Sequence, residues 1–338
     1  MSNTVARAAG QARALVGHHY RCAEPFRVER TRIREFARAV QAYHPAHWRE
    51  AAAARLGFDA VVAPPSFAAL IWQQARREIL RTLITGYRLD RIVHVDQTLE
   101  IGRPLLAGDV LTCDIYFESF RQFHDFDVIT INGVLTDQHG MPVQTGSTAL
   151  LARTAPPEGP RSSVRTRAGS DREPSLAPVR RLRRPRTRVD LDRLTVDTDL
   201  PTAGTTLTRR DLATYARAVG DVDMPECAAS AGQPVVVAPG ILVLALTAGY
   251  LTSWTGDPAA VTTYRAEFAN QVHYLAVPRA DAVDIEFSGR VVACDRSRRT
   301  ATVSLNAISQ GRRLFGYASA EVRFPPPAAR HTTIEFTP

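Results

Sequence analysis

The apolar and polar positions of this 338-residue chain follow the same order twice. Each half begins with apolar residues spaced by three or four positions, among them Phe36 and Val40 in the first half and Tyr215 and Val219 in the second. This spacing predicts a short amphipathic helix. Each half continues into a longer apolar segment, at 67–83 and at 240–251. The second of these is apolar all round, which predicts a buried helix too short to cross a membrane.

The rest of each half is typical of β-strands. Runs rich in β-branched residues are bounded by turn-forming sequences at 137–140 and at 309–311, which break the two halves at matching places. The predicted strands are 110–117, 128–135, 145–151, 283–294, 300–308 and 314–323. One buried helix wrapped by an antiparallel sheet in each half predicts an α+β fold.

Short identical strings carry the same repetition. The sequence ARAV stands at 37–40 and 216–219, VVAP at 61–64 and 236–239, and the related DIYF and DIEF at 114–117 and 284–287. A period of about 175 residues indicates a duplicated domain, not a solenoid. We therefore divide the chain into a flexible N-terminus (1–17), a first repeat (18–153), an Arg- and Pro-rich linker (154–186), a second repeat (187–324) and a tail (325–338).

The charge of the chain is concentrated at that linker. The net charge is +8, no lysine is present, and 11 arginines but only four acidic residues fall within 161–193. A solvated linker is the simplest interpretation. A docking strip for an acidic partner, such as an acyl carrier protein, is the alternative. Because the segment contains no aromatic residue and no recognisable module, we expect no nucleic-acid partner.

The remaining composition points to a cytoplasmic protein without a metal or other cofactor. The four cysteines show no C-x-x-C spacing, and this favours reduced thiols over a disulfide framework or a zinc site. No run of about 18 apolar residues is present, and the first residues have no apolar core of the signal-peptide type, so we expect no membrane association. No glycine loop of the phosphate-binding kind is seen either.

Longer strings resemble a known family. In the second half these are LTRRDLATYARAVGD, VVVAPGILVLAL and GYLTSWTGDPAAVTTYRAEFANQV, and in the first half IREFARAV, VVAPPSF and RPLLAGDVLT. Their order resembles the MaoC-like hydratases and dehydratases, in particular the fused HadAB type that acts on (3R)-3-hydroxyacyl thioesters. The resemblance implies a double hot-dog fold and a substrate carried by acyl carrier protein or coenzyme A. It also implies a monomeric pseudo-dimer or a homodimer.

The catalytic motif of that family is altered in the second repeat. The family pattern is Gly-Asp-x-Asn-Pro-x-His, followed by Ala-His-Gly at the start of the buried helix. The resemblance assigns the aspartate to Asp221 and the asparagine to Asp223. The histidine falls on Glu226, or on Cys227 if the prolines are matched. Gly240 keeps the backbone N–H that would stabilise the thioester oxyanion.

The first repeat shows the opposite loss. Ala42 stands in the place of the aspartate, while His47 occupies the place of the histidine. The resemblance implies that this repeat is the non-catalytic half that lines the substrate, and we expect Tyr43 and His44 to contribute to that lining. His47 remains a candidate acid or base.

Three functions follow from these residues. The first is a dehydratase or hydratase of acyl thioesters in fatty-acid or polyketide-type metabolism. The second is a repurposed enzyme (an isomerase, a cyclase or a thioesterase) of a specialised biosynthetic pathway. The third is a non-catalytic acyl-binding subunit. The missing histidine leaves all three open.

Overall fold

The computed structural model describes residues 3–87, 92–154, 184–220, 226–228, 234–268, 275–277 and 282–326. The helices are α1 (Asn3–Leu15), α2 (Arg30–Ala39), α3 (Glu50–Arg55), α4 (Ala68–Thr82), α5 (Arg209–Ala218) and α6 (Gly240–Thr255). The first strands are β1 (His19–Arg21), β2 (Phe26–Arg27), β3 (Ile92–Ile101), β4 (Val110–Gln122), β5 (Phe126–Thr136), β6 (Pro142–Arg153) and β7 (Ala203–Leu207). The remaining strands are β8 (Glu226–Ala228), β9 (Pro234–Val237), β10 (Val261–Phe268), β11 (Ala276–Val277), β12 (Val283–Asp295), β13 (Thr300–Ser309), β14 (Arg312–Arg313) and β15 (Phe315–Arg323).

Most strands form one antiparallel sheet with a mirrored order. The path β1-β4-β5-β6-β3 of the first repeat continues directly into β10-β15-β13-β12-β7 of the second. The two halves join where β3 pairs with β10, from Thr263 opposite Glu100 to Glu267 opposite Asp96. We call this pairing the seam. The duplicated α+β architecture expected from the sequence is therefore present as a double hot-dog.

Each half-sheet wraps around one long helix, α4 in the first repeat (copy one) and α6 in the second (copy two). Nearly every side chain of α6 is buried, as its continuous apolar composition predicts. The helix ends at Gly256, whose φ of 73° is the left-handed conformation that glycine adopts without strain at a helix terminus. Buried side chains from both copies belong to one continuous hydrophobic core.

The two short amphipathic helices, α2 and α5, pack against each other between the copies. Thr208 caps α5 with a capping box. Its side chain accepts from the backbone N–H of Asp211, and the carboxylate of Asp211 accepts from the backbone N–H of Thr208. The corresponding cap of α2, Glu29, makes no side-chain bond. Gln41 and Gly220 follow the two helices with φ values of 52° and 69°. The backbone therefore turns in the same way after the short helix of each copy.

The structure corrects the expected flexible N-terminus and extends the predicted strands. Residues 3–15 form α1, because this Ala-rich segment places Ala8 and Ala12 on one face that the core covers completely or nearly so. The six predicted strands are present as β4, β5, β6, β12, β13 and β15, with ends within a few residues of those expected. The seam strands β3 and β10 were not predicted. Most of the linker, 155–183, lies outside the described residues.

Candidate functional site

His47 of copy one lies in the interior of the protein. This residue ends a 3-10 turn (Pro45–His47) that follows α2, and it is 0% exposed to solvent. The ring Nδ1–H donates to the carbonyl oxygen of Val62 at 2.8 Å, and the buried Nε2 has no partner among the described residues. Burial lowers the pKa of His47 to about 4. The ring is therefore neutral at physiological pH and has no access to solvent.

The other two candidates of copy one differ in exposure. His44 is half-buried, its ring centroid lies 5.7 Å from that of His47, and its Nδ1 accepts from the backbone N–H of Ala46 at 3.3 Å. Burial lowers the pKa of His44, while a backbone bond with Gly256 opposes this shift. Tyr43 is 71% exposed. The structure thus brings His44 and His47 together and leaves Tyr43 in the solvent.

Gly240 of copy two begins α6. Pro239 caps the helix with φ −61° and ψ 138°, and the first helical bonds run from the N–H groups of Leu242 and Val243 to the Pro239 oxygen. The N–H groups of the first turn of a helix have no acceptor within the helix, and the dipole there favours negative charge. A Cβ atom at Gly240 would lie 2.6 Å from the ring of Phe268, so only glycine fits without movement.

The hairpin of β8 and β9 brings the backbone of Glu226 and Cys227 toward this helix start. Its backbone register places Glu226 opposite Val236 and Cys227 opposite Val235. These two valines stand four and five residues before Gly240. Asp221 and Asp223 lie outside the described residues, as do the side chains of Glu226 and Cys227.

Equivalent backbone contacts support the alignment of the two copies. The N–H of Ala63 donates to Leu105 at 2.8 Å, and that of Ala238 donates to Leu275 at 2.9 Å. In copy one the His47 ring is bonded to Val62, beside the same V-V-A-P segment that Glu226 joins in copy two. The backbone of Glu226 pairs with Val236, the counterpart of Val61, while the ring of His47 bonds to Val62, the next residue of that segment.

His44 of copy one and Gly240 of copy two do not form a shared site. His44 lies beside Gly256, at the carboxyl end of α6, whereas Gly240 lies at the other end. A 16-residue helix is about 24 Å long. The N–H groups at the start of α6 and the imidazole of His44 are therefore too far apart to contact the same thioester group.

A cleft in copy one was missed from the sequence. It is a narrow recess between α4 and the inner face of the half-sheet, with about 20 Å³ open to the centre of a water molecule. Its walls include Trp72 and Arg76 of α4, His94 and Gln97 of β3, and the glycines Gly133 and Gly146. The two glycines inside predicted strands are the signal that could have indicated it.

Comparison with known proteins decides the family. Residues 14–146 match the family model described as the FAS1-like dehydratase domain region. The UPF0336 protein Rv0504c of Mycobacterium tuberculosis is 37% identical over 145 residues, which are 43% of this chain and 87% of that protein. A solved structure titled MaoC-like dehydratase is 35% identical, covers 93% of this chain and 99% of its own, and superposes with a TM-score of 0.80.

The chain belongs to the MaoC-like dehydratase family. The resemblance stated from the sequence is thereby confirmed. A more distant structure, Rv0216 of Mycobacterium tuberculosis, is 13% identical with a TM-score of 0.62 over 91% of this chain, and its title describes a double hot-dog fold. It supports the fold of this MaoC-like protein alone.

Two further observations describe the MaoC-like chain. Over the part that the structure describes, no helix is both long enough and apolar enough to span a bilayer. Within the same residues, no three side chains of His, Cys, Asp or Glu are grouped as metal ligands would be.

Proposed function

We propose that this chain is an acyl-thioester dehydratase or hydratase of fatty-acid or polyketide-type metabolism, and that copy two carries the reaction. The observation that supports this most is the start of α6 at Gly240, with backbone N–H donors ahead of the first helical bond and the Glu226 hairpin leading into it. Such donors stabilise an oxyanion that develops on a thioester carbonyl. The family provides the reaction class.

The dehydration would begin at the α-carbon of the substrate. A carboxylate removes the α-proton of the 3-hydroxyacyl thioester, and negative charge develops on the thioester oxygen next to the N–H of Gly240. The bond between the β-carbon and its oxygen then breaks, and the β-hydroxyl leaves as water after accepting a proton. Of Asp221 and Glu226, one would be ionised and accept the α-proton, and the other would be protonated and donate its proton to the leaving hydroxyl. Asp223 and Cys227 would be neighbouring groups in the chain. Hydration runs the same steps in reverse.

Copy one would support this site without reacting. His47 is buried and neutral, Ala42 replaces the aspartate, and the histidine has no solvent access. A general base must reach the proton that it removes. We therefore assign His47 to the packing of copy one, and His44 and Tyr43 to its surface and loop.

A non-catalytic or repurposed role is the second candidate, and the missing histidine of copy two is the observation that favours it. A chain that binds acyl thioesters without turnover would keep Gly240 and tolerate any residue at 226. An isomerase, a cyclase or a thioesterase would form product without gain or loss of water.

The test is turnover of (3R)-3-hydroxyacyl and 2-enoyl pantetheine thioesters, followed by mass spectrometry. We expect a gain or loss of one water by the wild-type chain and none by the Asp221→Asn variant. Thermal unfolding of both proteins controls for folding. Binding without any mass change would contradict the proposal and favour an acyl-binding subunit. A mass-neutral product would favour an isomerase.

Carrier and assembly belong to the same proposal. The thioester would be delivered by acyl carrier protein or by coenzyme A, and the Arg-rich linker would be the docking strip in the first case. The two copies already form a pseudo-dimer, so the active unit would be one chain, alone or within a homodimer.

A further inference from the structure

Two cysteines face each other at the edge of the copy-one half-sheet. β1 is the first strand in the order of the sheet, and it pairs antiparallel with β4 as far as Arg21 opposite Asp114. The next pair in this register is Cys22 and Cys113, and the backbone N–H of Cys22 donates to the Cys113 oxygen at 3.0 Å. The two cysteines are therefore direct cross-strand neighbours.

This placement suits a disulfide. Residues directly opposite each other in a hydrogen-bonded antiparallel pair have Cα atoms about 5.5 Å apart, and their side chains share one face. A disulfide needs a Cα separation of about 4.4–6.8 Å. The thiols of Cys22 and Cys113, both free, are already hydrogen-bonded to each other. An S–S bond can therefore form between them with little movement of the backbone.

The long helix of copy one holds Cys22 in this position. The hydroxyl of Tyr20 donates to Oε1 of Glu78 on α4 at 2.5 Å, and the backbone N–H of Ala23 donates to the same oxygen at 3.1 Å. Cys22 lies between these two anchored residues. Because the short edge strand is fixed on both sides of the thiol, Cys22 remains opposite its partner, and two groups held in contact react far faster than two free ones.

The two thiols differ in accessibility and acidity. Cys22 is 9% exposed, whereas Cys113 is 3% exposed. The hydrogen bond from the Cys113 thiol lowers the pKa of Cys22, while the same contact, followed by burial, raises the pKa of Cys113. Since the thiolate is the reactive form, Cys22 is the sulfur that an oxidant meets first.

The equivalent place in copy two shows what packing alone requires there. Val283 precedes D-I-E-F as Cys113 precedes D-I-Y-F, and Val283 lies opposite Leu207 of the edge strand β7. Both residues are buried. Two aliphatic side chains thus complete the core at this position of the fold, and the thiols of copy one add a reactivity that packing does not require.

We infer that Cys22 and Cys113 form a redox modification site, at which a peroxide converts the two thiols into a reversible disulfide that fastens the edge strand β1 to β4. The inference is independent of the proposed acyl-thioester chemistry, because neither cysteine belongs to the copy-two motif.

The oxidation takes two steps. The Cys22 thiolate attacks one oxygen of hydrogen peroxide, the O–O bond breaks, and the hydroxide that leaves is protonated to water. The sulfur of Cys113 then attacks the resulting sulfenic acid. The S–S bond forms as the S–O bond breaks, and the hydroxyl leaves with the proton of the Cys113 thiol as a second water. Two thiols are oxidised, and one peroxide is reduced to two waters.

The crosslink would constrain most of copy one. The loop between the two cysteines contains α2, α3, α4 and β3. A disulfide that closes a long loop restricts the unfolded chain and so favours the folded state. We expect the oxidised protein to melt about 5 °C above the reduced protein.

The test treats the folded wild-type chain with hydrogen peroxide, alkylates the remaining thiols and maps the tryptic peptides by mass spectrometry. We expect the peptides of Cys22 and Cys113 to be linked, with a mass about 2 Da below their sum, and to separate again with dithiothreitol. Cys294 is the internal control, because its cross-strand partner is Ala301. It should remain alkylatable at the same peroxide dose.

Two variants identify the role of each sulfur. Cys113→Val leaves Cys22 without its partner, so oxidation should stop at the sulfenic acid, about 16 Da heavier, which dimedone traps. The double variant Cys22→Leu/Cys113→Val carries the copy-two residues. It should fold, and its melting temperature should not respond to peroxide.

Peroxide that leaves both thiols alkylatable, or that oxidises them without linking them, would overturn the inference. So would a linkage that forms only in urea, since it would belong to the unfolded chain. A linkage that leaves the melting temperature unchanged would refute the fastening of β1. The peptide map of the wild type decides the pairing even if a variant fails to fold.

Discussion

The two copies differ most in the loop that follows their short helix. Copy one keeps the histidine of the family motif, buries it completely and lacks the aspartate. Copy two keeps the aspartate and lacks the histidine, whose place falls in the sequence on Glu226 or on Cys227, two residues of one hairpin strand. The sheet, the long helix and the V-V-A-P segment are the same in both. The sheet, the long helix and the V-V-A-P segment therefore fix the two ends of the loop, whereas the residues between those ends differ.

The largest effect is expected for Glu226, onto which the ungapped alignment places the histidine of the family motif. Glu226→Gln should lower hydration of an enoyl thioester by about 10²-fold, because the amide cannot transfer a proton. The melting temperature should change little. Steady-state kinetics of the wild type, of Glu226→Gln and of the control variant Cys227→Ala measures the change in hydration rate. A loss in Cys227→Ala with full activity in Glu226→Gln would show that the prolines, not the ungapped count, set the alignment.

The equivalent position of copy one should respond in the opposite way. His47→Ala removes a buried ring and its bond to Val62, and it should lower the free energy of unfolding by about 2–4 kcal/mol. Turnover per folded molecule should stay near that of the wild type. Urea unfolding and activity, measured on the same preparation, check both halves of this expectation. A catalytic loss without destabilisation would place His47 in the reaction.

The caps of the two short helices offer a smaller test. Thr208→Ala removes the capping box of α5 and should lower the unfolding free energy by about 1 kcal/mol. Glu29→Ala in copy one should change it by only a few tenths, because no side-chain bond is lost there. Chemical unfolding of the pair measures the difference. Equal losses would mean that helix propensity, not the cap, controls these ends.

The smallest effect concerns the seam, where Asp96 of copy one faces Glu267 of copy two. Burial, followed by the charge of Glu267, raises the pKa of Asp96 to about 6. The folded state therefore binds this proton more tightly than the unfolded state, and stability falls as the pH rises from about 4 to about 6. Asp96→Asn should raise the melting temperature by about 1–2 °C at pH 8.

At pH 4 the same substitution should have almost no effect, because Asp96 is largely protonated in the folded state there. Thermal scans of both proteins across this range test the assignment. A gain that persists at pH 4 would exclude ionisation of Asp96 as its cause.

Local patterns accounted for the repetition, the buried helix and six strands, since periodicity and composition determine these elements. The seam strands were missed, although β10 begins with the β-branched residues Val261, Thr262 and Thr263 and then alternates polar and apolar positions, a pattern typical of a strand. The burial of His47 was missed for a physical reason. It depends on a carbonyl 15 positions away and on α3, which no local pattern places.

The cleft of copy one was also not predictable from local sequence patterns. Its shape comes from two glycines on neighbouring strands and one indole on a helix, and each of these residues is unremarkable by itself. Only their juxtaposition across β5, β6 and α4 makes a recess. Sequence reasoning found residues that keep a family motif and passed over residues whose meaning is purely spatial.

The seam between β3 and β10 has a consequence for how such a chain can evolve. In a dimer of identical subunits, every substitution enters both subunits at once, and dilution can separate the partners. Here the two half-sheets are encoded separately and remain tethered at any protein concentration. Each copy can therefore drift alone, because its neighbour is always present to complete the sheet. The fused architecture turns a symmetric scaffold into two independently mutable halves.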